Sequence, residues 1–230
     1  MELSIVVPIY NEGGNILALH SRIKRAVGRL GHEIIFVDDG SNDSSSSEIR
    51  AVMGKDKSVR LARFGRNRGL SKALEKGFSM ARGKTVVSLD GDLQNDPQDI
   101  PRLISALRNG FDVVCGYRKH RKDSLFVKVL PSKAFNFMVR SAFKVPVHDC
   151  GCTLRAYAGR AVRNLPLADG MHRFLPVLLQ KKGFKVGECI VRHNPRSHGL
   201  PKFNSPKRFL EAAKCMVYLK RGMGKLSRRP

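Results

Sequence analysis

The sequence predicts an α/β protein built on a mostly parallel, Rossmann-like sheet with helices on both faces. Three observations carry this. Strand-like and helix-like runs alternate from residue 3 to residue 117, the first strand-like runs read as buried, and each run is followed at once by a polar cluster. At 230 residues and 42% hydrophobic, the chain is long enough to bury one sizeable core.

In order, "LSIVVPI" (3–9) is the first strand. Residues 15–30 place Ile16, Leu19, Ile23, Ala26, Val27 and Leu30 at helical spacing, closed by Gly31. "EIIFVDD" (33–39) is the second strand, 43–54 a short serine-rich helix and "VRLARF" (59–64) the third strand. A helix over 70–81 leads to a fourth strand at 85–89, then a helix over 98–109 and a strand at 112–117. Asp96 before Pro97 suits an N-cap followed by the first helical residue.

Ligands of such sheets sit beyond the carboxyl ends of the strands. The residues there are "PIYNE", "VDDGSND", "GRNRGLSKA" and "LDGDLQND", so four polar clusters are expected to share one rim. In the last of them Asp90, Asp92 and Gln94 alternate, and an extended chain would turn their oxygens to one side. Two adjacent carboxylates repel; Mg2+ or Mn2+, with oxygen ligands and positions left open for phosphates, would relieve that. The plainer reading is a polar turn ahead of a helix. The chain has no G-x-G-x-x-G turn and no Walker lysine loop, which speaks against dinucleotide cofactors and P-loop hydrolysis. Carboxylates ending strand two suit the donors of a base or ribose, and Asp90 with Asp92 suits a metal on a diphosphate.

The five cysteines lack paired C-x-x-C spacing; Cys150 and Cys152 near His148 read as small buried hydrophobes better than as half a zinc site. A reducing, cytosolic setting is expected. No secretory leader is visible at the start, and no apolar run approaches the ~20 residues that span a bilayer. The formal net charge is +24, unevenly placed: 17 Lys and Arg against 14 Asp and Glu in residues 1–115, then 26 against 5 in residues 116–230. The second half therefore seeks anions, whether nucleic acid, acidic lipid or phosphorylated substrate.

Together "SIVVPIYNE", "FVDDGSND", "RNRGLSKALEKGF", "SLDGDLQNDP", "VVCGYR" and "DCGCTLRAY" resemble the inverting family 2 glycosyltransferases of the GT-A fold. More narrowly, they are similar to the polyprenyl-phosphate (dolichol-phosphate) mannosyl- and glucosyltransferases, over residues 1 to about 210. The resemblance implies a nucleotide-sugar site (of GDP-mannose or UDP-glucose type) at Pro8, Tyr10, Asn11, Glu12, Val37, Asp38, Asp39, Lys72, Asp90 and Gly91. It implies metal coordination by Asp90, Asp92 and Gln94, and a phosphate contact at Arg118. The family's Arg-x-x-Gly-x-Ser-Lys motif is matched at Arg196, Gly199 and Lys202, with Pro201 in the serine's place; that loop is expected to close over the donor. Where protein- or sugar-modifying relatives carry an acid/base pair, this chain reads "GMHRFLP". Arg173 there either positions an acceptor phosphate or is a solvated helix start, and Asp149 is an orienting or weak base group or an ordinary strand-edge residue. With Asp92, Arg118, Asp149 and Arg173 as the catalytic set, a polyprenyl phosphate is the implied acceptor.

Residues 1–206 are read as the transferase domain, with a basic loop and amphipathic helix within 118–145, and residues 207–230 as an amphipathic helix and basic tail. Lys207, Glu211, Lys214, Tyr218 and Arg221 form one polar stripe on an otherwise apolar helix; Lys128, Ser132, Asn136 and Arg140 repeat it over 125–143. Both read as interfacial helices on anionic lipid, at the cytosolic face of a membrane, reached peripherally or through a membrane-anchoring subunit. Two rival readings stand beside this one: a family 2 transferase with a saccharide or protein acceptor, and a nucleic-acid-binding protein. The pI near 10.5 favours the latter, whereas an aromatic content of 7% with no Trp offers no stacking platform, so no nucleic-acid partner is expected.

Overall fold

A computed structural model of the chain describes residues 1–119, 130–195 and 207–220. Its strands are β1 (Leu3–Ile9), β2 (His32–Asp38), β3 (Val59–Arg63), β4 (Thr85–Ser88), β5 (Val113–Tyr117), β6 (Arg155–Ala158) and β7 (Val186–Ile190). Its helices are α1 (Ile16–Val27), α2 (Ser45–Lys55), α3 (Leu70–Met80), α4 (Ile100–Arg108), α5 (Leu130–Phe143), α6 (Gly159–Val162), α7 (Leu175–Lys181) and α8 (Lys207–Lys220). The first five strands and four helices fall within a few residues of their predicted places. The first helix ends earlier than expected, at Gly28 (φ 54°), whose N–H closes on the Lys24 carbonyl at 3.1 Å. Asp96 caps as its sequence suggests, accepting from the Gln98 N–H at 3.0 Å.

All seven strands join one sheet in the order β3-β2-β1-β4-β6-β5-β7. Parallel pairing links β3 to β2, β2 to β1, β1 to β4 and β5 to β7, so their carboxyl ends share a rim. β6 runs against both β4 and β5, an antiparallel insertion the alternation of motifs does not reveal. Three of its four residues, Arg155, Ala156 and Tyr157, end "DCGCTLRAY", and the strand places Arg155 opposite Ser88.

Alternation along the strands builds a core on each face. Ile5, Val7 and Ile9 of β1 point to α1, α2 and α4, while Val6 points to α3 and to the layer holding α5, α7 and α8. Each such fully buried aliphatic side chain contributes roughly 1.5–3 kcal/mol. α3 lies so close on the sheet that a Cβ on Gly77 would stand 2.2 Å from Val6 Cγ1.

The two amphipathic helices pack differently from their sequence pattern. Asn136, assigned to a polar outer stripe, is buried and accepts the Cys150 N–H at 3.2 Å, while Phe137 is 71% and Met138 41% exposed. On α8, Cys215 and Leu219 are buried, and Val217 and Tyr218 point outward. Among the described residues no helix is long and apolar enough to cross a membrane.

Candidate active site

The four polar clusters do meet on one rim, held by hydrogen bonds between the loops. Asn11, left-handed at φ 50°, donates its N–H to Ser41 Oγ at 2.9 Å and accepts the Asn42 N–H at 2.8 Å. The Glu12 N–H meets Ser45 Oγ at 2.8 Å, and the Gly13 N–H meets Asp43 Oδ2 at 2.8 Å. The second loop is tied to the third through Asp39, which accepts the N–H groups of Arg68 (2.7 Å) and Gly69 (2.9 Å). Burial nonetheless raises the Asp39 pKa above the ordinary carboxylate value. Asp38 is buried against Arg63 Nε (3.2 Å) and the Ser41 N–H (2.9 Å). The fourth loop touches the first at Gly91, where a Cβ would lie 2.4 Å from Ile9 Cδ1 and 3.4 Å from Glu12 Cγ.

Pro8 and Tyr10 line this rim half-buried. Val37 has its side chain in the core and can present only backbone. Lys72 lies one turn into α3, paired with Glu75 at 2.8 Å, and faces a cleft of about 390 Å3 beside Arg68, Lys76 and Pro166 on the flank of the rim.

Asp90 and Asp92 do not lie on an extended strand. β4 stops at Ser88, and Leu93 adopts a left-handed conformation (φ 62°), so residues 90–94 form a tight turn in place of the expected alternation. The turn still brings the carboxylates together. Asp90 is pushed up to about 6, first by burial, then by the charge of Asp92 and, more weakly, Glu12, against a hydrogen bond from Thr153 and the Arg118 cation. Thr153 Oγ1 donates to Asp90 Oδ2, and Asp92 Oδ1 accepts the Gln94 N–H at 3.1 Å. Gln94 also accepts the Asn194 N–H at 2.9 Å through its carbonyl. Among the described residues no three His, Cys, Asp or Glu side chains form a closed cage. Two repelling carboxylates on one rim are oxygen donors of the kind that Mg2+ or Mn2+ on a diphosphate takes, so the residues fit such an ion.

Facing this pair, Arg118 and Asp149 form a bidentate bridge, Nε to Oδ2 at 2.7 Å and Nη2 to Oδ1 at 3.0 Å. Arg173 sits half-buried in the 3-10 turn Met171–Phe174. That turn is held by two contacts the sequence does not announce: His172 Nδ1 to Ser71 Oγ at 3.0 Å, and buried Arg155, whose Nη1 donates to the His172 carbonyl at 2.8 Å. Arg155 Nη2 donates to the Cys150 carbonyl at 2.6 Å, tying the turn to the Asp149 loop. Cys150 and Cys152 are buried and their thiols pushed up to about 12 by that burial, in keeping with small hydrophobes. Arg196 and Lys202 lie outside the described residues.

The chain's fold is shared with glucosyl-3-phosphoglycerate synthase from Mycobacterium tuberculosis. Its complex with Mn2+, UDP and phosphoglyceric acid matches with a TM-score of 0.70 at 19% identity, over 96% of this chain and 78% of that one. The UDP complex gives 0.71 at 20% identity, over 94% and 79%. The architecture is the GT-A arrangement of a mostly parallel sheet with helices on both faces.

Residues 4–165 match the family described as "Glycosyl transferase family 2", and the chain belongs to it. Among similar proteins is the dodecaprenyl-phosphate galacturonate synthase of Rhizobium johnstonii, 37% identical over 91% of this chain and 64% of its own length. Another is the undecaprenyl-phosphate 4-deoxy-4-formamido-L-arabinose transferase of Aeromonas hydrophila subsp. hydrophila, 38% identical over 87% of this chain and 62% of its own. The chain thus spans somewhat under two thirds of these relatives' lengths.

Proposed function

We propose that the chain is an inverting glycosyltransferase that moves a sugar from a nucleoside-diphosphate donor onto a polyprenyl phosphate at the cytosolic face of a membrane. The observation that carries this reading is the Asp90–Asp92 pair set against the Arg118–Asp149 bridge, a cation site and a phosphate site on one rim. A bound Mg2+ or Mn2+ would neutralise charge growing on the departing diphosphate. Asp90, Asp92 and Gln94 would hold that ion. The loops carrying Pro8, Tyr10, Asn11, Glu12, Asp38 and Asp39 would hold the nucleoside, and Gly91 would keep the diphosphate close to the backbone. Arg118 would meet phosphate. Asp149 has both oxygens engaged by Arg118, so it orients that cation and is a poor base. A phosphate-monoester acceptor needs little help from a base, because its second pKa is near 6 and it is largely a dianion at pH 7. Arg173 would steer that acceptor. Arg196 and Lys202 are assigned to the donor diphosphate by family resemblance.

The related enzymes named above share a polyprenyl phosphate in their names and differ in the sugar, a galacturonate and a formamido-arabinose. The sequence resemblance to mannosyl- and glucosyltransferases makes a hexose our choice, and uronic acids and amino-pentoses belong in the same donor screen. With a short polyprenyl phosphate and labelled donors, we expect sugar transfer to the lipid and none to saccharide or protein acceptors. Asp92→Asn should lose most turnover and stay folded, since Asp92 belongs to a rim turn. Full activity in EDTA would refute the metal assignment, and labelling of a saccharide in place of the lipid would refute the acceptor.

A further inference from the structure

The loop that carries Asp149 has no regular secondary structure of its own, yet Asp149 must meet Arg118 in one plane for a bidentate bridge to form. Asn136 and Arg155 hold it at Cys150, and the hold on residues 148 and 149 comes from β7. Glu188, half-buried on that edge strand, accepts the His148 N–H at 2.7 Å and the Asp149 N–H at 3.1 Å on the same Oε1. Its other oxygen lies 2.7 Å from His148 Nδ1. The His148 ring also stacks on Tyr117, centroids 5.3 Å apart and planes 25° from parallel. Tyr117 is the last residue of β5 and directly precedes Arg118. One carboxylate therefore sets two loop residues against the two residues where β5 runs out. It does so by charge-assisted hydrogen bonds, outside the hydrophobic core.

We infer that Glu188 is a positioning residue for the phosphate-binding side of the site: it holds the 148–149 backbone so that Asp149 presents both oxygens to Arg118. Two of the three guanidinium nitrogens are thereby committed to Asp149. The direction of the remaining donor edge, and with it the bound phosphate, is set from β7. A shift of about 1 Å in such a group can cost on the order of a hundredfold in rate. The kinetic part of this inference rests on the transferase reading above; the structural part does not.

The test uses the full chain and two variants. In Glu188→Ala we expect kcat to fall ten- to a hundredfold with the donor KM little changed, since the donor loops hang from β1, β2 and β4. Glu188→Gln keeps an oxygen for the two backbone N–H groups and should recover most of the rate. A purely structural role would not give that split or that rescue. Adding Asp149→Asn to Glu188→Ala should cost no more than Asp149→Asn alone, because both act through Arg118. Independently of activity, the Arg118 Nε–H resonance of 15N-labelled protein, held by Asp149 in the wild type, should move in Glu188→Ala toward its position in Asp149→Asn and stay in place in Glu188→Gln. An unmoved resonance in Glu188→Ala, or losses that multiply in the double variant, would overturn the inference. A chain inactive on every polyprenyl phosphate would sink the transferase reading and leave the resonance to decide the role of Glu188.

Discussion

Asp90 is destabilising in the metal-free fold, because burial and the neighbouring Asp92 hold its pKa at about 6, against an ordinary value of 3.8. The folded state binds this proton more tightly than the unfolded chain. Its contribution thus favours folding fully below pH 3.8 and is lost as pH rises through about 6. At neutral pH the cost is on the order of 1–3 kcal/mol, one pKa unit being worth ~1.4 kcal/mol. Asp90→Asn should therefore raise the thermal midpoint of metal-free protein at pH 7.5 and change it little at pH 4. Mn2+ should stabilise the wild type at pH 7.5 and much less at pH 5, where protons compete for the same oxygens. Thermal scans with and without Mn2+ at these pH values are the check, and a metal shift equal at both would contradict the assignment. The acidic pair was legible in the sequence because its members are two residues apart. Thr153, which bonds Asp90, and Ser71, which holds His172, were not, since each lies more than sixty residues from its partner.

At the scale of elements, the rim depends on loops crossing at van der Waals distance, and at Gly40 the crossing is backbone against backbone. Gly40 has a φ of +76°, and a Cβ there would stand 2.6–2.8 Å from the backbone of Arg66 and Asn67. Gly110 has a similar φ of +98° with open space around it. Alanine at Gly110 should cost about 1 kcal/mol for the left-handed backbone alone. Gly40→Ala should cost distinctly more in urea unfolding and should also weaken nucleotide binding, because it pushes apart the loops that Asp39 joins. Equal costs at the two positions would show that the crossing is loose. The parallel strands and their helices were readable from apolar runs and helical spacing, which are local signals. β6 was not, since a four-residue strand between two sheet neighbours is defined by its partners and not by its own pattern. The outward face of α5 was misread for the same reason: Asn136 is polar yet turned inward by one hydrogen bond to Cys150, and Phe137 is left outside.

Across the whole molecule, most of the positive charge and, among the described residues, five of the eight exposed large apolar side chains fall in the same half of the chain. Residues 116–230 carry 26 Lys and Arg against 5 Asp and Glu, and they also carry the exposed Phe137, Met138, Val217 and Tyr218. Leu219, although apolar and on the same helix, is buried against the body, so a change there would disturb packing and not a lipid contact. Cations around exposed apolar side chains suit an anionic bilayer surface, where the charges attract from a distance and the apolar groups enter the headgroup region. The chain contains no Trp, so Phe137→Trp supplies a single reporter at the most exposed of these positions. Its emission should shift to the blue on vesicles containing phosphatidylglycerol and stay put on neutral ones. Salt should reverse the shift, since the Debye length falls from ~10 Å at 0.1 M to ~3 Å at 1 M. Val217→Glu should weaken the binding with little loss of thermal stability, whereas Leu219→Glu should lower stability first. A blue shift of equal size on neutral and anionic vesicles would remove the basic half from the account of membrane contact, and no shift on either would remove α5 from it.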